Sequence, residues 1–183
     1  MVPVGYLRGL RTVQEMVDDS FTGDFIRKAI EEETIPTLDL SREELQQFSN
    51  DVIERFQNPF IRHELISIAL NSISKYQVRV LPSVLEYIQR TGKLSERLLY
   101  SLAALIRFYK GERQRQTIPM NDTPAVLAFF KEAWSNENPS LVVEQVLSNK
   151  TFWNTDLTQI KGFAKEVEKQ MKLNASPDLL RQI

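Results

Sequence analysis

The sequence predicts an all-α protein of roughly eight to ten helices. Apolar residues recur with a spacing near 3.6 residues along most of the chain, and the alternation typical of strands is nearly absent. The only strand candidate is the short run at residues 77–81. Because 183 residues fit one domain, we expect a single helical domain over residues 1–183.

Prolines and capping residues divide the first half of the chain. The predicted helices of this half cover residues 6–17, 24–33, 41–57, 61–74 and 81–90. Pro36 breaks the chain after the second of these helices. Ser41 begins the third, because Ser41 and Glu44 have the spacing of a capping box, and that helix ends before Asn58 and its proline.

The second half of the chain shows similar punctuation. Its predicted helices cover residues 95–110, 124–134, 140–148 and 156–171, with a last turn from Ser176. Ser95 and Thr123 are in the positions of N-caps, and Gly111 ends the helix that precedes it. The polar stretch at residues 112–122 is predicted to be an exposed loop.

Composition excludes several kinds of site. The chain has no cysteine and one histidine, His63, which excludes thiol chemistry and a multi-histidine metal centre. Its 6 glycines form no phosphate-binding motif. A formal net charge of −1 argues against a nucleic-acid partner. With no apolar run long enough for a membrane span and no signal-peptide pattern, we expect a cytoplasmic domain without membrane contact.

A polar stripe is the most informative feature of the chain. Placing residues 61–75 on one helix, at about 100° per residue, puts its polar side chains on a single arc. The stripe consists of His63, Ser67, Asn71, Ser74 and Lys75, with Arg79 four residues beyond. Hydroxyl and amide groups match sugar hydroxyls, and the cations match a carboxylate. The solvated face of an amphipathic helix has the same pattern, so this alternative stays open.

Two other charged clusters are interpreted as solvated surface. The acidic run at residues 31–33 falls at a predicted helix end. The basic cluster consists of Arg107, Lys110, Arg113 and Arg115. Anion binding is the alternative for the basic cluster, but a chain without a basic excess favours the solvated interpretation.

Four runs of sequence carry a resemblance to a known family. They are NPFIRHEL at residues 58–65, SKYQVRVLPS at 74–83, SLAALI at 101–106 and IPTLDL at 35–40. These runs resemble the mannitol dehydrogenase family of polyol-specific long-chain dehydrogenases, and within it the branch that acts on hexuronates. The similarity covers most of the chain and is densest over residues 1–111.

The resemblance implies an architecture that composition does not show. Members of the family have an N-terminal Rossmann-type domain that binds NAD, followed by a helical substrate domain, and this chain looks like the second part only. The catalytic signature of the family is a lysine, an asparagine five residues later and a histidine three residues after that. Here the one histidine is His63 and Phe60 stands three residues before it, so the signature is absent. It is expected just upstream of residues 1–7, and the chain alone is predicted to be inactive.

The resemblance also implies a substrate site. The helix after the Asn-Pro motif and the turn that follows help to bind substrate, and the matching positions here are His63, Ser67, Asn71, Lys75 and Arg79. The implied partner is a sugar acid and the implied reaction is NAD-dependent reduction of D-tagaturonate to D-altronate, with no metal. The fructuronate specificity of the sister enzymes stays open, as does a non-catalytic helical interaction module or remnant that self-associates through an apolar patch.

Overall fold

Helices account for almost all of the regular structure in the described part of the chain. The computed structural model describes residues 1–58, 60, 62–113 and 115–175. The α-helices are α1 Val2–Leu7, α2 Val13–Asp18, α3 Ser20–Lys28, α4 Arg42–Phe56, α5 Leu65–Ile68, α6 Ser72–Arg79, α7 Leu81–Thr91, α8 Glu96–Phe108, α9 Pro124–Ala133, α10 Pro139–Ser148, α11 Lys150–Trp153 and α12 Phe163–Ala175. Ten of these described helices have six residues or more, which confirms the predicted class.

Helix α8 forms the centre of the core. Nine of the thirteen residues of this helix are apolar, and all nine are buried, on every side of the helix. A helix that is apolar on every face has to be covered on every face. Helices α1, α6 and α12 pack against α8 and supply this cover. Aromatic residues of the second half of the chain belong to the same core: Phe130, Phe152 and Trp153 are buried, with Phe129 and Trp134 packed against them.

The N-terminal end of α8 is capped by a buried carboxylate from another part of the chain. The Glu33 Oε1 atom accepts a hydrogen bond of 2.9 Å from the Arg97 N–H, and its Oε2 atom accepts one of 2.9 Å from the Leu98 N–H. Ser95, the predicted cap, makes no such bond, and its buried Oγ has no partner among the described residues. The solvated interpretation of the acidic run is therefore wrong for Glu33, because burial brings its carboxylate to a helix end.

Left-handed residues divide two of the predicted helices. Gly9, with a φ of +101°, separates α1 from α2, so residues 6–17 form no continuous helix. Thr12 and Glu15 begin α2 with a capping box. Gly162, with a φ of +79°, separates α12 from the 3₁₀ turn Leu157–Gln159, and this divides the predicted helix 156–171.

The predicted helix at residues 61–75 is also wrong. It is replaced by α5 and α6, because Asn71 adopts a left-handed conformation with a φ of 52° and a ψ of 45°. The strand candidate at residues 77–81 is helical instead, since α6 ends at Arg79 and α7 begins at Leu81. The two helices meet at Val80, and Pro82 fits in the first turn of α7, where it costs no hydrogen bond.

The predicted loop at residues 112–122 contains a short hairpin. Strand β1 (Glu112–Arg113) pairs antiparallel with β2 (Gln116–Thr117), and Ile118 after it is buried. The predicted caps Ser41 and Thr123 are confirmed, since each hydroxyl accepts a bond from the N–H three residues on. The turn predicted from Ser176 lies outside the described residues. None of the described helices is long and apolar enough to cross a membrane.

Candidate functional site

A cavity of about 160 Å³ opens between the start of α1, helix α6 and helix α8. Its lining consists of Met1, Val2, Pro3, Ile68, Ser72, Lys75, Tyr76, Arg79, Val80, Ser101 and Leu105. Lys75 and Arg79 are four residues apart on α6, so they lie on the same side of that helix. Neither aspartate nor glutamate is among these lining residues, and the cavity is therefore positively charged.

Lys75 is anchored at one side of the cavity. Its Nζ donates a hydrogen bond of 2.8 Å to the Ile68 carbonyl oxygen, at the last residue of α5. The break at Asn71 leaves carbonyls at the end of α5 without helical partners, and the ammonium satisfies one of them. An ammonium group has three donors, so Lys75 keeps capacity for a ligand.

Arg79 is the freer of the two cations. Its side chain is exposed, and within the described residues no hydrogen bond or ion pair involves its guanidinium. A guanidinium presents five donors in a planar fork that matches the two oxygens of a carboxylate. Arg79 is therefore the strongest candidate in this cavity for binding an anion.

The floor of the cavity is polar but internally satisfied. The Tyr76 hydroxyl donates to the Leu98 carbonyl oxygen over 2.8 Å, and the Ser101 Oγ donates to the same oxygen over 2.7 Å. Burial raises the pKa of the Tyr76 phenol, which keeps it neutral. The floor thus positions α6 against α8, and the cations are left for binding.

The other predicted site residues lie elsewhere. His63 and Ser67 are exposed, and the His63 carbonyl accepts a bond of 3.0 Å from the Val13 N–H. Asn71 occupies the break, where its own N–H donates to the Asn121 carbonyl. None of the three lines the cavity. The single polar arc is wrong because the helix it needs is broken, while the binding roles of the five residues stay predictions.

Sequence reasoning missed the floor of the cavity. Tyr76 and Ser101 are 25 positions apart in the sequence and meet only because α6 packs on α8. A signal was present at Ser101, a hydroxyl within the apolar stretch that forms α8. A polar residue at a buried helical position has to find a partner, which marks it as a contact point.

Comparison with known sequences identifies the family. The chain matches the mannitol dehydrogenase C-terminal domain family over residues 1–174. It is 43% identical over 177 residues to the altronate oxidoreductase of Yersinia pestis bv. Antiqua (strain Nepal516), covering 94% of this chain and 37% of the relative. It is 42% identical over 172 residues to that of Escherichia coli (strain SMS-3-5 / SECEC), covering 91% and 36%. The chain thus spans little more than a third of these relatives.

Solved structures show the same fold. Mannitol 2-dehydrogenase of Pseudomonas fluorescens, solved as a ternary complex with NAD and D-mannitol, superposes with a TM-score of 0.85 over 99% of this chain and 37% of that one, at 19% identity. D-sorbitol dehydrogenase in substrate-free form gives a TM-score of 0.75 over 98% and 36%, at 17% identity. The chain belongs to the mannitol dehydrogenase C-terminal domain family.

Proposed function

We propose that this chain is the substrate-binding part of an NAD-dependent oxidoreductase that interconverts D-tagaturonate and D-altronate in the cytoplasm. One observation carries the proposal. Lys75 and Arg79 line one cavity, and neither aspartate nor glutamate is among its lining residues. The names of relatives that are 43% identical support this substrate pair over the fructuronate alternative.

The cations suit the charged end of such a substrate. A hexuronate and the hexonate formed from it both carry a carboxylate, so a contact with Arg79 is available to substrate and product alike. We assign the paired contact to Arg79 and a supporting contact to Lys75, whose ammonium is already held by Ile68. Contacts of this kind orient the sugar, and their loss raises KM more than it lowers kcat.

The chain's own residues do not account for the chemical step. Hydride transfer requires a nicotinamide and a positioned proton donor. The 6 glycines form no dinucleotide-binding loop, and the described residues contain no group suited to a metal ion. NAD is therefore assigned to a preceding domain, together with the lysine, asparagine and histidine that the family resemblance implies.

A fusion enzyme tests this proposal. This chain replaces the matching C-terminal part of the Yersinia pestis altronate oxidoreductase, and NADH oxidation is followed with D-tagaturonate and with D-fructuronate. We expect the fusion to reduce D-tagaturonate and the isolated chain to show no activity. The unmodified Yersinia enzyme is the control. A fusion that folds and binds NADH but turns over neither sugar acid contradicts the proposal, and turnover of D-fructuronate alone reassigns the substrate.

A further inference from the structure

A larger cavity, of about 450 Å³, lies away from the cavity at Lys75 and Arg79. It forms where the C-terminal end of α8, the β1–β2 hairpin, the start of α10 and helix α12 meet, and it shares no lining residue with the smaller cavity. Its volume is in the range of small-molecule sites. Three of the four residues of the basic cluster line it: Arg107, Lys110 and Arg113.

Arg107 is the unusual residue of this cavity. Its side chain is half-buried, and within the described part of the chain it forms neither a hydrogen bond nor an ion pair. Burial lowers its pKa, and the group that opposes this shift is the phenol of Tyr100 rather than a carboxylate. Buried cations in proteins are normally paired, because desolvation of an unpaired charge is costly. Among the described residues, therefore, no carboxylate offsets the cost of desolvating the Arg107 guanidinium.

The surroundings of Arg107 suit a negatively charged ligand. Lys172 on α12 adds a second cation that forms no ion pair with a described residue. Pro139 and Ser140 place the N-terminal end of α10, a helix of ten residues, at the wall of the cavity, and that end carries partial positive charge. The Arg113 Nη1 atom donates a bond of 2.7 Å to the Tyr6 carbonyl, which fixes the hairpin to α1.

The carboxylates of the cavity narrow the class of ligand. Glu112 is neutralised by Lys110, whose Nζ lies 2.6 Å from its Oε1. Glu137 and Glu168 also line the cavity, and neither pairs with Arg107. Carboxylates accept hydrogen bonds from hydroxyl groups. The cavity thus combines Arg107 and Lys172, which form no ion pair with a described residue, with carboxylates that accept hydrogen bonds from hydroxyls.

We propose that this cavity binds a small polyhydroxylated anion, a sugar phosphate or a sugar acid, with Arg107 and Lys172 on its charged group and Glu137 and Glu168 on its hydroxyls. Sugar phosphates and sugar acids share one chemistry, because each carries an oxyanion on a polyol. This site is independent of the substrate cavity proposed above, which lies at α6 and has different lining residues.

Calorimetric titration of the 183-residue chain tests the proposal with three probes: glucose 6-phosphate, D-gluconate and neutral D-glucose. We expect at least one of the two anions to bind and D-glucose not to bind. Arg107→Ala is expected to weaken anion binding by about tenfold or more, since it removes a charge-assisted paired contact. Arg42→Ala, which removes an exposed arginine outside both cavities, is the control and is expected to leave binding unchanged. Arg79→Ala is measured beside it and reports binding at the other cavity.

The two anionic probes distinguish a phosphate site from a carboxylate site. The variants at Arg107 and Arg79 show which of the two cavities binds the anion. Binding of glucose 6-phosphate alone identifies a phosphate site, and binding of D-gluconate identifies a carboxylate site. The proposal is overturned if neither anion binds, if Arg107→Ala binds as tightly as the unmodified chain, or if only Arg79→Ala loses binding. If Arg107→Ala does not fold, Lys172→Ala, which changes an exposed residue, replaces it as the test. We expect Lys172→Ala to bind the anion about threefold more weakly, and unchanged binding would contradict the proposal.

Discussion

Glu33 shows how one residue can determine where a helix begins. Its carboxylate is 4% exposed and accepts hydrogen bonds from the first turn of α8, more than sixty positions further along the chain. The first N–H groups of a helix have no partner within the helix, and at α8 they are enclosed by the core. A carboxylate in this position satisfies two of them and adds a favourable charge at the positive end of the helix.

Removing this carboxylate is expected to destabilise the fold. Glu33→Ala leaves the N–H groups of Arg97 and Leu98 without their acceptor, and we expect the free energy of unfolding to fall by about 1–3 kcal/mol. Urea denaturation measures the change. Glu32→Ala is the matched control, because Glu32 is half-exposed and pairs only with the Arg97 side chain, which is worth less than about 1 kcal/mol. Equal effects of the two variants would contradict the capping role.

At the scale of the helices, the sequence predicts correctly those helices whose ends are marked by nearby capping residues. Helices α4 and α9 each begin at a hydroxyl cap that accepts a hydrogen bond from the N–H three residues on, and such a signal acts within a few residues. The breaks were missed where a residue adopts a left-handed conformation inside an otherwise periodic pattern. Asn71 is the clearest case, because asparagine is compatible with both a helix interior and a left-handed turn.

The same break explains which site residues were predicted in the right place. Lys75 and Arg79 lie on α6 beyond the break, so their spacing of four residues holds whether or not the preceding segment is helical. His63 and Ser67 share a face with them only if residues 61–75 form one helix. Tyr76 and Ser101 could not be paired from the sequence, because their contact depends on how α6 packs against α8.

The break itself can be tested by substitution. Asn71→Ala puts alanine at a φ of 52°, a left-handed conformation that asparagine tolerates better than alanine does. We expect the free energy of unfolding to fall by about 1 kcal/mol. Asn71→Gly is expected to be nearly neutral, because glycine adopts this conformation freely. Asn50→Ala on the exposed side of α4 is the control and should stabilise slightly or have no effect. A stabilising Asn71→Ala would mean that the helix is continuous.

At the scale of the whole molecule, the described residues leave two large aromatic side chains of α4 exposed. Phe48 and Phe56 lie eight residues apart on α4 and are 63% and 39% exposed. Soluble domains seldom expose large aromatic residues close together without a partner. This chain spans 37% of its relative from Yersinia pestis. The rest of such a longer protein is therefore not available to cover these side chains in the isolated chain.

We expect the isolated chain to associate with a second copy through these two exposed aromatic residues of α4. Size-exclusion chromatography with light scattering, over about a hundredfold range of concentration, should show a mass that rises with concentration. The double variant Phe48→Ser, Phe56→Ser should shift the chain to the monomer. Leu141→Ser, which changes an exposed leucine on α10, is the control. Association that persists in the double variant would place the contact elsewhere.

The central claim is that Arg79 holds the carboxylate of a sugar acid, and steady-state kinetics of the fusion enzyme tests it most directly. Removing a charged hydrogen-bonding partner costs about 1.5–3 kcal/mol, so Arg79→Ala should raise the KM for D-tagaturonate by about 10-fold to 100-fold. The kcat should change far less, because the contact is present in both the ground state and the transition state. Arg42→Ala, an exposed arginine outside the cavity, should leave KM unchanged. An Arg79→Ala fusion with an unaltered KM would contradict the account.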